Sequence, residues 1–179
     1  MILALLLVLL LAGCDTGAHV APPPPPAALP DDHGSPPIRY DHIFQGGINR
    51  RGEATGFHVR ATGDGHARII EGTQTAPDSH GVYQARVEVN DQGRWVEKPE
   101  PSTFYPDTWP PDKVLAEIRS AWNRRKPLLS YRHQRAGGAP GEAVGGQSPR
   151  WEGTSESGVN IEGYADGDTI TTAYPLMDR

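Results

Sequence analysis

The chain has 179 residues, a formal net charge of −5, 36% hydrophobic residues, 21 glycines and 18 prolines. That length suits one domain with appendages, and so much glycine and proline predicts short elements joined by many loops. All 17 Lys and Arg lie from Arg39 onward, where acidic residues nearly balance them. A near-neutral domain argues against a protein that grips long nucleic acid through many phosphates, while leaving room for a small site that reads one or two nucleotides.

The N-terminus reads as a targeting signal. Ile2 to Ala12 is an apolar run of signal-peptide length, too short for a typical membrane span. It ends in Leu11-Ala12-Gly13-Cys14, which resembles the bacterial lipobox, whose cysteine is lipidated and becomes the mature N-terminus. The expectation is a signal peptide over 1–14 with lipidation at Cys14 and a mature chain in the cell envelope, anchored to membrane. The alternative is a plain signal peptide, a chance cysteine and a secreted chain. No Lys or Arg follows Met1, so the usual basic start is missing. Cys14 is the single cysteine, which rules out an intrachain disulfide. Residues 15–37, with Pro22 to Pro26 in one run, read as an extended linker that cannot bury a core.

The domain is expected over 38–179. Its first segment, Asp41 to His58, sets His42 and His58 at the ends of a stretch rich in glycine, with Arg50 and Arg51 inside it. Imidazole exchanges protons near neutral pH, glycine lets backbone approach a ligand, and guanidinium suits phosphate. Those three together are what cleavage of a phosphodiester needs; a glycine-rich loop with two incidental histidines is the plainer alternative.

Phe57 to Ala61 and Ala67 to Gly72 read as short strands. Gly81 to Val89 alternates with period two, which predicts a strand whose apolar face carries Tyr83, Ala85, Val87 and Val89. Pro99 and Pro101 predict an extended edge segment, in which Lys98 and Ser102 share a face. Pro110 and Pro111 open a predicted helix to Arg125, with Val114, Leu115, Ile118, Ala121 and Trp122 on one stripe. Residues 136–149 read as a loop. Trp151 to Gly153, Val159 to Tyr164 and Thr169 to Tyr174 read as closing strands, the last putting Thr172 and Tyr174 on one side. One main helix among antiparallel-type strands gives an α+β class. His66 and His80 sit in turn-like contexts, and His133 lies in a basic cluster after Arg124, Arg125 and Lys126. There is no zinc-ligand spacing, no nucleophile elbow and no phosphate-binding loop.

In order, His42…His58, Lys98…Ser102 and Thr172-x-Tyr174 resemble the EndoU endoribonucleases, most closely the bacterial EndoU toxin domains. The block Ser102 to Trp122 resembles the stretch that follows the catalytic lysine there. The resemblance runs from about Tyr40 to Pro175. It implies an α+β fold related to pancreatic-type ribonucleases and metal-independent RNA cleavage by transphosphorylation, with no cofactor. It implies His58 as general base, His42 as general acid and Lys98 as the cation facing the phosphorus. Ser102 and Thr172 would contact the base, and Tyr174 would pack on sugar or base. RNA is the implied substrate, a membrane the partner through the anchor, and an immunity protein a partner open to a toxin. The competing reading is a non-catalytic surface lipoprotein that uses the scaffold to bind a ligand or partner.

Overall fold

A short helix, α1 (Tyr40–Phe44), opens the domain and buries Ile43 and Phe44. The structure, a computed structural model, describes residues 34–60, 65–128 and 149–178. Cys14, the signal segment, most of the linker, His133 and the 136–148 loop lie outside the described residues.

After α1 come β1 (Gly47–Ile48), β2 (Ala54–Thr55), β3 (Ala67–Ile69), β4 (Tyr83–Ala85), β5 (Val87–Asp91), β6 (Arg94–Glu97) and β7 (Ser102–Phe104). The main helix α2 (Pro111–Asn123) follows, then β8 (Lys126–Leu128), β9 (Arg150–Thr154), β10 (Asn160–Asp166) and β11 (Thr169–Pro175). All described strand pairs are antiparallel and form four sheets: β1-β2, β4-β7, β3-β5-β6 and β11-β10-β9-β8. Antiparallel sheets with one main helix make the class α+β, as expected.

Helix α2 forms for the reasons its sequence gives. Pro111 stands in the first turn, where its missing N–H costs nothing, and Asp112 favours the positive end of the dipole. Val114, Leu115, Ile118, Ala121 and Trp122 are all buried. The helix lies hard on β9: a Cβ on Gly153 would sit 2.1 Å from the Ala121 carbonyl oxygen, so only glycine allows this approach. The helix stops two residues short of Arg125. Arg125 instead turns back, donating to the Trp122 carbonyl at 2.9 Å and lying 3.6 Å over the Trp122 ring.

Two clusters of buried side chains result. One joins α1, α2 and the four-stranded sheet through Phe44, Ile118, Trp151 and Ile161, with Val59 and Tyr105. The other joins Phe57, Tyr83, Val87, Val89 and Phe104. The chain passes directly from the second core to the first at Phe57 to Val59 and at Phe104 to Tyr105. A Tyr105 N–H to His58 carbonyl bond of 3.0 Å sets the crossings side by side.

Two expected strands differ. Of the expected strand Phe57 to Ala61, the described part, Phe57 to Arg60, is not one: Phe57 has φ +60°, and the Phe57 and His58 amides bond the His42 and Ile43 carbonyls at 3.1 and 2.7 Å. Those bonds to α1 replace a sheet ladder. The predicted strand Gly81 to Val89 is divided at Arg86. Its first part pairs with β7 and its second with β3 and β6. Its apolar alternation survives the division, since Tyr83, Ala85, Val87 and Val89 are all buried.

Candidate active site

The two histidines meet because α1 and the 56–58 segment share backbone bonds. Gly56 has φ +75°, and a Cβ there would lie 2.1 Å from the His42 carbonyl oxygen. Glycine is therefore required where the chain doubles back on α1. His42 and His58 then line one cleft of about 390 Å³, within the range of small-ligand sites. Lys98, Thr172 and Tyr174 line it as well, with Gly56, Gln84, Glu100, Pro101, Thr103 and Leu176. Five of the six residues singled out in the sequence thus share a wall.

His58 is fixed at both sides. Its Nδ1 lies 2.7 Å from the Thr103 carbonyl oxygen. A carbonyl only accepts, so Nδ1 carries the proton and the neutral ring keeps its lone pair on Nε2. The Tyr174 ring stacks on the imidazole at 5.5 Å and 28°. Burial, then the Lys98 ammonium and His42, hold the His58 pKa well below the ordinary histidine value, against the opposing pull of the Thr103 carbonyl. Burial is the largest cause for His42 too, followed by Arg39 and Lys98, and lowers it less severely.

Lys98 follows β6 and reaches back to the same place. Its Nζ donates to Ser102 Oγ at 2.8 Å and to the Gly56 carbonyl at 3.3 Å. Burial lowers its pKa to about 8, so it retains much of its charge at neutral pH.

Ser102 is not among the residues that line the cleft. It is fully buried, and its Oγ donates to the Gly56 carbonyl at 3.1 Å while accepting from Lys98. It lies behind the lining residues, in hydrogen-bond contact with Lys98. The shared face expected of Lys98 and Ser102 is real, and its use is to hold the ammonium.

Arg50 and Arg51 are also elsewhere: both are exposed at the tip of the β1–β2 hairpin, where Arg51 pairs with Glu53 at 3.2 Å. His66 and His80 are exposed as expected. Lys113 is tied to Glu117 at 2.8 Å and Ser157 at 3.0 Å. Sequence reasoning missed the Thr103 carbonyl, Gln84, Glu100 and Leu176, because backbone acceptors and single polar residues leave no pattern. It missed Glu162 and Arg150, which stand behind Tyr174, for the same reason.

Imidazoles with low proton affinity beside an ammonium suit acid–base chemistry on an anion, and the comparisons agree with that class. The family model of the bacterial EndoU nuclease matches residues 38–177. The chain belongs to the bacterial EndoU nuclease family. It is also similar to a protein named "Toxin" from Bacillus cereus, 31% identical over 140 residues, which are 78% of this chain and 22% of that protein. The chain thus spans about a fifth of the length of the curated relative it matches. No solved structure gives a significant match.

Proposed function

We propose that the domain is an endoribonuclease that cleaves RNA by transphosphorylation and that it serves as a nuclease toxin. The observation that carries this reading is the meeting of His42, His58 and Lys98 on one cleft. His58 Nε2 takes the proton of a ribose 2′-hydroxyl. The 2′-oxygen attacks phosphorus, the bond from phosphorus to the 5′-oxygen breaks, and His42 gives that oxygen its proton. The products are a 2′,3′-cyclic phosphate and a 5′-hydroxyl. Lys98 faces the charge that gathers on the phosphoryl oxygens, a contribution of several kcal/mol where donors are preorganised. Thr172 contacts the base and the Tyr174 ring packs on sugar or base. No step requires a metal.

The order of proton affinities supports the roles. The base must be neutral while the acid is protonated, and the more deeply lowered histidine is His58. His58→Ala and His42→Ala are each expected to slow cleavage of a uridine-containing oligonucleotide by about 10²–10⁴-fold, with unchanged circular dichroism. Near-normal rates in both folded variants would remove the assignment.

A further inference from the structure

Tyr174 meets His58 at the front of the cleft, and behind it stands a buried carboxylate. Glu162 on β10 is in register with Tyr174 on β11, and it is 5% exposed. Both of its oxygens are used: Oε1 accepts from the Tyr174 hydroxyl, and Oε2 accepts from Nη2 of Arg150 on β9. A carboxylate withdrawn this far from water persists only when paired and fully hydrogen-bonded. An ion pair that served the sheet alone would need no third member. Here the third member's ring lies on the imidazole 5.5 Å away.

We propose that Glu162 is a positioning residue of the site: neutralised by Arg150, it tethers the Tyr174 hydroxyl and so clamps the phenol ring against His58. Because that hydroxyl is already given to Glu162, Tyr174 presents to a ligand its ring and the lone pairs of its oxygen, without a free donor. His58 is then gripped between the Thr103 carbonyl and the ring, leaving Nε2 as its working nitrogen. The consequence for catalysis rests on the ribonuclease reading; the clamp itself does not.

The test is an NMR titration of the His58 imidazole in the full chain and in Glu162→Ala, Tyr174→Phe and the double variant. The charged and titratable groups facing His58 are Lys98, His42, Tyr174 and, at the cleft rim, Glu100. None of these charges is removed by Tyr174→Phe, which also keeps the pair of Glu162 with Arg150. Freeing the ring admits water to the imidazole, so the His58 midpoint is expected to rise toward the ordinary value by about one unit in each single variant. The double variant is expected to shift no further, because both changes break one hydrogen bond. On RNA, kcat is expected to fall about tenfold, with the acid limb of the pH profile moving up alongside the NMR midpoint. Should Glu162→Ala fail to fold, Tyr174→Phe alone decides. A folded variant whose His58 midpoint stays in place overturns the proposal. The titration needs no substrate, so a wild-type chain that cleaves no RNA would overturn the ribonuclease reading and leave the clamp to be judged by itself.

Discussion

At the scale of single residues the site depends on how far each imidazole is withdrawn from water. His58 is buried and His42 half-buried, and both have lowered proton affinity, His58 the more. If the proposed roles hold, a bell-shaped profile of kcat/KM is expected, because this parameter reports the free enzyme. On the proposed roles its acid limb is the protonation of His58 and its alkaline limb the deprotonation of His42. Both limbs are expected below about pH 6.5, the ordinary histidine value, with activity falling about tenfold per unit above the upper one. The limbs of kcat should lie higher, since the bound phosphodiester anion favours imidazolium. A kcat/KM that climbs through pH 7 to a plateau would contradict the roles given to these two histidines. Ser102, fully buried beside Lys98, shows what spacing leaves open. Its four-residue spacing from Lys98 marked a shared face, but spacing does not say whether that face looks into solvent or into the protein.

At the scale of elements, what was legible was what has a local cause. Helix α2 carries its own opening proline and apolar stripe, and β9, β10 and β11 emerged within a residue or two of their expected ends. The division of β4 from β5 was not legible, since the alternation continues through Arg86 and only pairing with different partners separates the halves. Helix α1 has five residues, too few for a periodic signal. It exists because its carbonyls receive the amides of Phe57 and His58, a long-range cause. Glu117 illustrates the same limit. On the helix pattern it is an unremarkable polar residue, yet it is buried and ties α2 to the β9–β10 turn through Lys113 Nζ at 2.8 Å, Ser157 N at 3.0 Å and Ser157 Oγ at 2.7 Å. Burial pushes its carboxyl up, but Lys113 and the Ser157 donors outweigh it and bring it down to about 2. A depressed folded-state pKa gives stability that is present above the ordinary glutamate value and is lost as pH falls through about 2. Glu117→Gln is therefore expected to destabilise the domain by about 2 kcal/mol at pH 7 and to flatten the loss of stability below pH 4. Equal denaturation midpoints for the two proteins across that range would show that the tie contributes nothing.

At the scale of the whole molecule, two cores meet along the line on which His58 lies, with Phe57 packed in one and Val59 in the other. His42, Lys98 and the β11 residues come to that seam from three other parts of the chain. No local period brings them together; the family resemblance alone led to expecting it. The fold therefore does for the site what the sequence does not display, converting scattered single residues into one cleft whose histidines are held by backbone groups. Whether the cleft cleaves RNA as proposed is decided most directly by the ends of the products. The purified chain, incubated with a uridine-containing oligonucleotide in EDTA, is expected to yield fragments with 2′,3′-cyclic phosphate and 5′-hydroxyl ends, identified by mass, and His58→Ala is expected to yield none. Fragments bearing 5′-phosphates, or cleavage that disappears with EDTA, would contradict transphosphorylation by this pair of histidines.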